Sequence, residues 1–219
     1  MEKLENSSYH WNRLWTNKIT NFYPQLPAAW HFENFVRHRI YFNAIDKLLK
    51  NISLRDKDII ELGSGTGNNS LYLAKTHSVK EVTLVDFSEK ALARVKVNYF
   101  PCPVNKINRD IFEISLGKEY DLVHSTGLIE HFKGEERFLT VKRHTDFIRD
   151  GGLVMIWVPV FSKAFKPIER INKILGIKEQ PFTKDELRLI FKESGLEIIN
   201  EGETVFGALF GVLGRKNNN

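Results

Sequence analysis

From residue 57 onward, short apolar runs alternate with stretches of helical period. The runs "DIIEL", "EVTLVDF", "YDLVHST" and "GGLVMIWVPV" have strand character, and "VNKINRD" is a weaker one between them. Helical spacing comes next over Leu71 to Lys75, Glu89 to Asn98 and Glu135 to Arg149. Strands that alternate with helices pair in parallel through right-handed crossovers, so the pattern predicts a doubly wound α/β sheet. The rhythm stops after Pro159 for about twenty residues, which predicts a small cap over roughly 160–180. It resumes with the helix "TKDELRLIFKESG" and two close runs, "LEIINE" and "TVFGALFGVLG". Strands joined by so short a turn must be antiparallel. Ahead of the sheet, apolar residues from Phe32 to Leu49 recur at helical spacing and predict a helix packed on the downstream domain. The chain therefore divides into an aromatic-rich helical segment over 1–50, a catalytic-type α/β domain over 51–214 and a disordered tail over 215–219.

Composition and charge narrow the classes. With 219 residues, 42% of them hydrophobic, the chain can bury the core of one α/β domain. A single cysteine, Cys102, excludes an intramolecular disulfide and a multi-cysteine metal site. The net charge of +5 comes from basic residues spread among acids, so nucleic-acid binding is not indicated. The first residues lack the apolar core of a secretion signal, and no run is long enough to span a bilayer. The expected compartment is the cytoplasm.

The chemistry gathers at "DIIELGSGTGNNS" (residues 58–70), a glycine-rich turn between a strand and a helix. A triphosphate loop ends in Gly-Lys-Ser/Thr, whereas this one ends Gly67-Asn68-Asn69-Ser70 and has no lysine for phosphate. A dinucleotide fingerprint needs a glycine at its sixth position, where Asn68 stands, so that match is partial. Glu61, two residues before Gly63, disfavours a second anion and favours a cation such as a primary ammonium. S-adenosylmethionine has that character: no phosphate, an ammonium, a sulfonium, and a nucleoside to be held. Asp86 lies 23 residues beyond Gly63, where a carboxylate can accept both ribose hydroxyls, although NAD proteins place an acid similarly. Asp110 ends the third strand and could take the adenine amino group.

Together with "VTLVDFSEKAL", "NRDIFEI", "YDLVHSTGLIEHF" and "FIRDGGLVMIWVP", the loop resembles the class I S-adenosylmethionine-dependent methyltransferases over roughly residues 56–160. Within them, "LIEHF" and the closing helix are most similar to small-molecule enzymes of the ubiquinone and menaquinone biosynthesis type. The resemblance implies a Rossmann-like seven-stranded sheet of order 3-2-1-4-5-7-6 with strand 7 antiparallel. It implies that Glu61, Gly63, Ser64, Gly65, Thr66 and Gly67 surround the methionine part of the cofactor. Asp86 would hold the ribose, Phe87 would lie against the adenine, and Asp110 with the Ile111 backbone would read its edge. Ser125, Thr126 and Gly127 would line the sulfonium and the acceptor mouth. Many members carry aspartate where this chain has Glu61. The Asn-Pro-Pro-Tyr type motif of nucleic-acid amino methyltransferases is absent, with "STGLIEH" in its place.

Methyl transfer is an in-line displacement on an activated carbon, so the protein chiefly aligns the reactants and excludes water, worth roughly 7–11 kcal/mol. Aromatics around Tyr9 to Trp15, Trp11 in particular, are expected either to fold over the cofactor as a lid or to pack in the core. Arg39, or less favourably Arg37, could pair with the methionine carboxylate or stay solvated. His131 is the candidate general base, with a structural histidine at a helix start as the alternative; His124 sits inside a strand and is read as packed or touching cofactor. The cap, with Lys163, Lys166, Arg170, Lys173 and Lys178, is a basic lid that could admit an oily or anionic acceptor or touch a membrane surface. The expected activity is methylation of a small molecule. Methylation of protein or RNA, a non-catalytic cofactor binder and a NAD enzyme are the alternatives.

Overall fold

The computed structural model describes residues 8–18 and 40–217. Strands β1 (Asp58–Leu62), β2 (Glu81–Asp86), β3 (Val104–Asn108), β4 (Tyr120–Thr126), β5 (Ile148–Pro159), β6 (Leu196–Glu203) and β7 (Leu209–Lys216) form one sheet. Its order is β3-β2-β1-β4-β5-β7-β6, parallel except for β7, which runs antiparallel to both neighbours. This is the seven-stranded, Rossmann-like methyltransferase topology. The helices are α1 (Ser8–Arg13, continued by a π-type turn over Leu14–Lys18), α2 (Phe42–Leu48), α3 (Asn68–His77), α4 (Glu89–Leu92), α5 (Glu135–Asp146), α6 (Lys166–Leu175) and α7 (Lys184–Glu193).

Both faces of the sheet are covered, which is why its central strands read as unbroken apolar runs. Side chains alternate between faces. Ile60, Leu62, Val123 and Val154 enter a core closed by Val141 of α5 and by Leu187 and Phe191 of α7. Ile59, Val82, Leu122 and Met155 enter the opposite core with Ile45 and Leu48 of α2 and Leu73 of α3. Trp157, fully buried, lies across its register partner Gly211, where a Cβ would come within 2.4 Å of the indole. Helix α7 starts where the sequence places it, because the Thr183 side chain accepts from the Glu186 backbone N–H.

Several boundaries differ from the pattern. Helix α5 ends at Asp146, short of Arg149, because Ile148 already pairs with Tyr120 in β5. The register slips before Leu122 meets Leu153, and this bulge folds back so tightly that a Cβ on Gly152 would lie 2.6 Å from Ile148 Cγ1. Gly151-Gly152 therefore lies within the strand instead of opening it. Helix α4 closes after four residues, its Leu92 carbonyl accepting from Lys106 Nζ at 3.3 Å, and a 3-10 turn over Val97–Tyr99 replaces the rest. Of the tail expected at 215–219, Arg215 and Lys216 instead complete β7, with Lys216 Nζ on the Ile148 carbonyl at 2.9 Å, and residues 218–219 lie outside the described region. Of the helix expected over 32–49, Phe42–Leu48 is helical, and residues 32–39 lie outside the described region. Among the described residues, no helix is long and apolar enough to cross a membrane.

Candidate active site

Strand order reverses between β1 and β4, and the crevice beyond their carboxyl ends is where open α/β sheets bind ligands. A cavity of about 860 Å³ opens there. Its floor is the glycine turn, which is bent by backbone hydrogen bonds from Ser64 N–H to the Val85 carbonyl (3.0 Å) and from Gly67 N–H to the Ser64 carbonyl (2.8 Å). Gly63, Gly65 and Gly67 all have φ between 54° and 70°, a region costly for other residues. Their open faces differ. A Cβ on Gly65 would meet only the Trp15 ring at 3.2 Å, on the cavity side. A Cβ on Gly67 would strike Leu84 Cδ1 at 2.7 Å, so this glycine seats α3 on β2 and does not line the cavity.

Three acids from three strands or strand ends face the cavity. Glu61 is 1% exposed. It accepts from Ser70 Oγ (2.6 Å), Ser70 N–H (3.3 Å) and Asn69 Nδ2 (3.1 Å). Burial outweighs those bonds, and with a smaller push from Asp86 it lifts the Glu61 pKa to about 7. Behind it, Ser70 Oγ lies 3.0 Å from Nε2 of His124, a buried ring whose pKa burial holds down to about 3. His124 is thus packed beneath the site. Asp86 Oδ2 accepts from Gly65 N–H and Oδ1 from Ser88 N–H, each at 2.8 Å. Burial raises its pKa against those two bonds. Asp110 closes the far side, its Oδ1 accepting from Phe112 N–H at 2.9 Å.

At the opposite end the wall is built by Thr126, Gly127, Leu128 and His131, the segment after β4. Tyr41 from the start of α2 fixes Thr126 by a short hydroxyl–hydroxyl bond and packs edge-on against Trp157. His131 Nδ1 lies 2.9 Å from the Lys178 carbonyl, and burial pulls its pKa down. Trp11 meets the His131 ring edge-on at 4.9 Å and with Trp15 forms part of the cavity wall. Helix α1 is held there by Asn12, whose Oδ1 accepts from Ser88 Oγ (2.8 Å) and Lys90 N–H (3.2 Å).

The structure brings Glu61, Gly63, Ser64, Gly65, Thr66, Asp86, Phe87, Asp110, Ile111, Thr126, Gly127, His131 and Trp11 to one cavity. Two expected residues do not line it. Gly67 serves packing, as above, and Ser125 points to the other side of β4, where its buried Oγ bonds His144 Nε2 at 2.9 Å. The alternation of a strand places Ser125 away from the face that Thr126 presents. Arg39 and Arg37 lie outside the described residues. Sequence reading passed over Asn69 and Ser70, which hold Glu61, and the rim of Lys75, Arg94, Lys96 and Arg109. It also passed over Glu130 and Glu179 beside His131. The first pair is signalled by polar residues one turn into α3; the rim cations are scattered along the chain and give no local signal.

This crevice, on this strand order, defines a nucleoside-binding methyltransferase. A family model described as a methyltransferase domain matches residues 32–201, and the chain belongs to that family. No curated protein sequence matches it significantly. Among solved structures, the fold is similar to magnesium protoporphyrin IX methyltransferase of Synechocystis PCC 6803 with bound S-adenosylhomocysteine (TM-score 0.65, 17% identity, 99% of this chain and 97% of that one). It is also similar to the N-methyltransferase NodS of Bradyrhizobium japonicum WM9 with the same ligand (0.63, 15%, 84% and 88%). A third likeness is to a complex of a putative methyltransferase with the Trm112 methyltransferase activator of Haloferax volcanii (0.67, 14%, 87% and 96%). The ubiquinone-like subtype has no counterpart in these likenesses.

Proposed function

We propose that this S-adenosylmethionine-dependent methyltransferase transfers the methyl group to a small-molecule acceptor by direct in-line displacement. The observation that carries the reading is Glu61: a buried carboxyl at the glycine turn, bonded among the described residues only by neutral donors, in a loop that lacks a phosphate-binding lysine. A carboxylate so placed attracts the donor's ammonium and repels a pyrophosphate. Asp86, whose oxygens each keep acceptor capacity beyond the one backbone N–H they bind, would take the ribose hydroxyls. Phe87, Asp110 and Ile111 would bracket the adenine, while Thr126 and Gly127 would flank the sulfonium. A small acceptor is supported by the lining of the His131 end by Trp11, Asn172 and Ile177. It is also supported by the name of one neighbour, which specifies magnesium protoporphyrin IX. Pockets for drug-sized ligands run from about 300 to 1,000 Å³, so a cavity of about 860 Å³ leaves room for a partner beside the donor. His131, at that end, is the side chain proposed to take the acceptor's proton, a role worth about 10²–10⁴-fold.

A second reading, methylation of RNA, is favoured by one feature: Lys75, Arg94, Lys96 and Arg109 bring four cations to the same cavity. Methyl-labelled donor supplied with a fractionated cell extract separates the two. Label in the low-molecular-mass fraction supports the proposal; label confined to RNA or protein overturns it.

A further inference from the structure

We infer that Glu130, His131 and Glu179 form a binding site for one divalent transition-metal ion, joining the cap to the segment after β4. Their ligand atoms, one carboxylate oxygen from each acid and one imidazole nitrogen, all lie within 4.8 Å of one another. Ligands of one tetrahedral ion with bonds of ~2.1 Å stand ~3.4 Å apart, so the widest pair needs to close by up to about 1.4 Å, within reach of side-chain rotation.

The independent sign of a ligand is Glu130 itself. Its side chain is 2% exposed, and Oε2 has no hydrogen-bond partner among the described residues. A buried carboxylate oxygen without a donor is costly. Here it also stands beside a second, half-buried acid, Glu179, with a carboxylate oxygen within 4.8 Å. Arg137 does not resolve the conflict. Its guanidinium is committed to Glu186, the Gln180 carbonyl and the Phe132 carbonyl.

The scaffold is built to hold the two acids together. Gln180 N–H donates to the Glu130 carbonyl at 2.9 Å, and His131 Nδ1 contacts the Lys178 carbonyl at 2.9 Å. Glu179 thus stands between two residues whose backbones are both tied to residues 130 and 131. A ring anchored to a backbone carbonyl is the usual support of a metal-bound histidine. One imidazole with two carboxylates suits Mn²⁺ or Zn²⁺ better than Mg²⁺, which prefers oxygen alone. With the ion bound, His131 is a ligand and cannot also accept a proton, so its role as base belongs to the metal-free protein.

The site does not depend on the proposed reaction and is tested by binding. The full chain, dialysed against a chelator, is titrated calorimetrically with MnCl₂, ZnCl₂ and MgCl₂. One equivalent of Mn²⁺ or Zn²⁺ is expected, with affinity at least tenfold weaker in Glu130→Gln and Glu179→Gln and unchanged in His77→Gln, a control at the end of α3 outside the cluster. Circular dichroism checks that each variant is folded; should Glu130→Gln fail, Glu179→Gln carries the comparison. Absence of Mn²⁺ and Zn²⁺ binding, or binding that Glu179→Gln leaves unaltered, overturns the assignment.

Discussion

Glu61 concentrates the electrostatics of the donor pocket. Its folded pKa of about 7 exceeds the ordinary value of 4.5, so the folded chain holds the proton more tightly than the unfolded one. Stability at this residue is therefore intact below pH 4.5, falls as pH rises toward 7, and stays reduced beyond it. The loss is roughly 3 kcal/mol at about 1.4 kcal/mol per pKa unit. A cationic donor favours the ionised form, so donor binding releases a proton below pH 7. The association constant should rise up to about tenfold per pH unit through the acid range and level off above pH 7. Titration calorimetry in buffers of different ionisation enthalpy reads both effects; a flat profile identical to that of Glu61→Gln would contradict the role. Gly67 tests the packing side. Gly67→Ala combines a left-handed φ with a clash against Leu84 and should cost about 2–4 kcal/mol in denaturant unfolding. An unchanged midpoint would show that α3 can shift without loss. At this scale, Glu61 and Asp86 were legible because they stand in or at the end of apolar strand runs, whereas Asp110 follows the more polar β3. Ser125 was misread because only one of two adjacent positions on β4 can face the crevice.

At the scale of elements, helix α1 makes the clearest prediction. It is held over the cavity by Asn12, which occupies the Ser88 hydroxyl that also caps α4. Replacing Asn12 with alanine removes two hydrogen bonds, about 1 kcal/mol each. If α1 closes over the donor, its dissociation constant should rise roughly five- to thirtyfold while the unfolding midpoint stays nearly unchanged. An unaltered constant would reduce α1 to packing. The strands were legible from their apolar runs and the antiparallel pairing of β6 and β7 from their short connection, while their order in the sheet came from the resemblance. Less legible were the places where a side chain reaches across: Lys106 ending α4, or Ile148 joining β5 before the glycines. Such endings are decided by partners distant in sequence, which periodicity does not encode.

For the molecule as a whole, the sheet places at one crevice three carboxylates, an aromatic wall and the cations Lys75, Arg94, Lys96 and Arg109. The acid end is proposed to hold a positively charged, phosphate-free nucleoside, and the other end a small acceptor beside it. The fold class and the donor side of this arrangement could be read from the chain. The acceptor side was less legible, because Asn172 and Ile177, which line the cavity, come from a cap that carries no recognisable motif. The most direct measurement is a calorimetric titration of the protein at pH 8 with S-adenosylmethionine and, separately, with NADH. One equivalent of S-adenosylmethionine binding with measurable heat, and none of NADH, is the predicted result. Saturable binding of NADH, or no heat from the methyl donor, would contradict it.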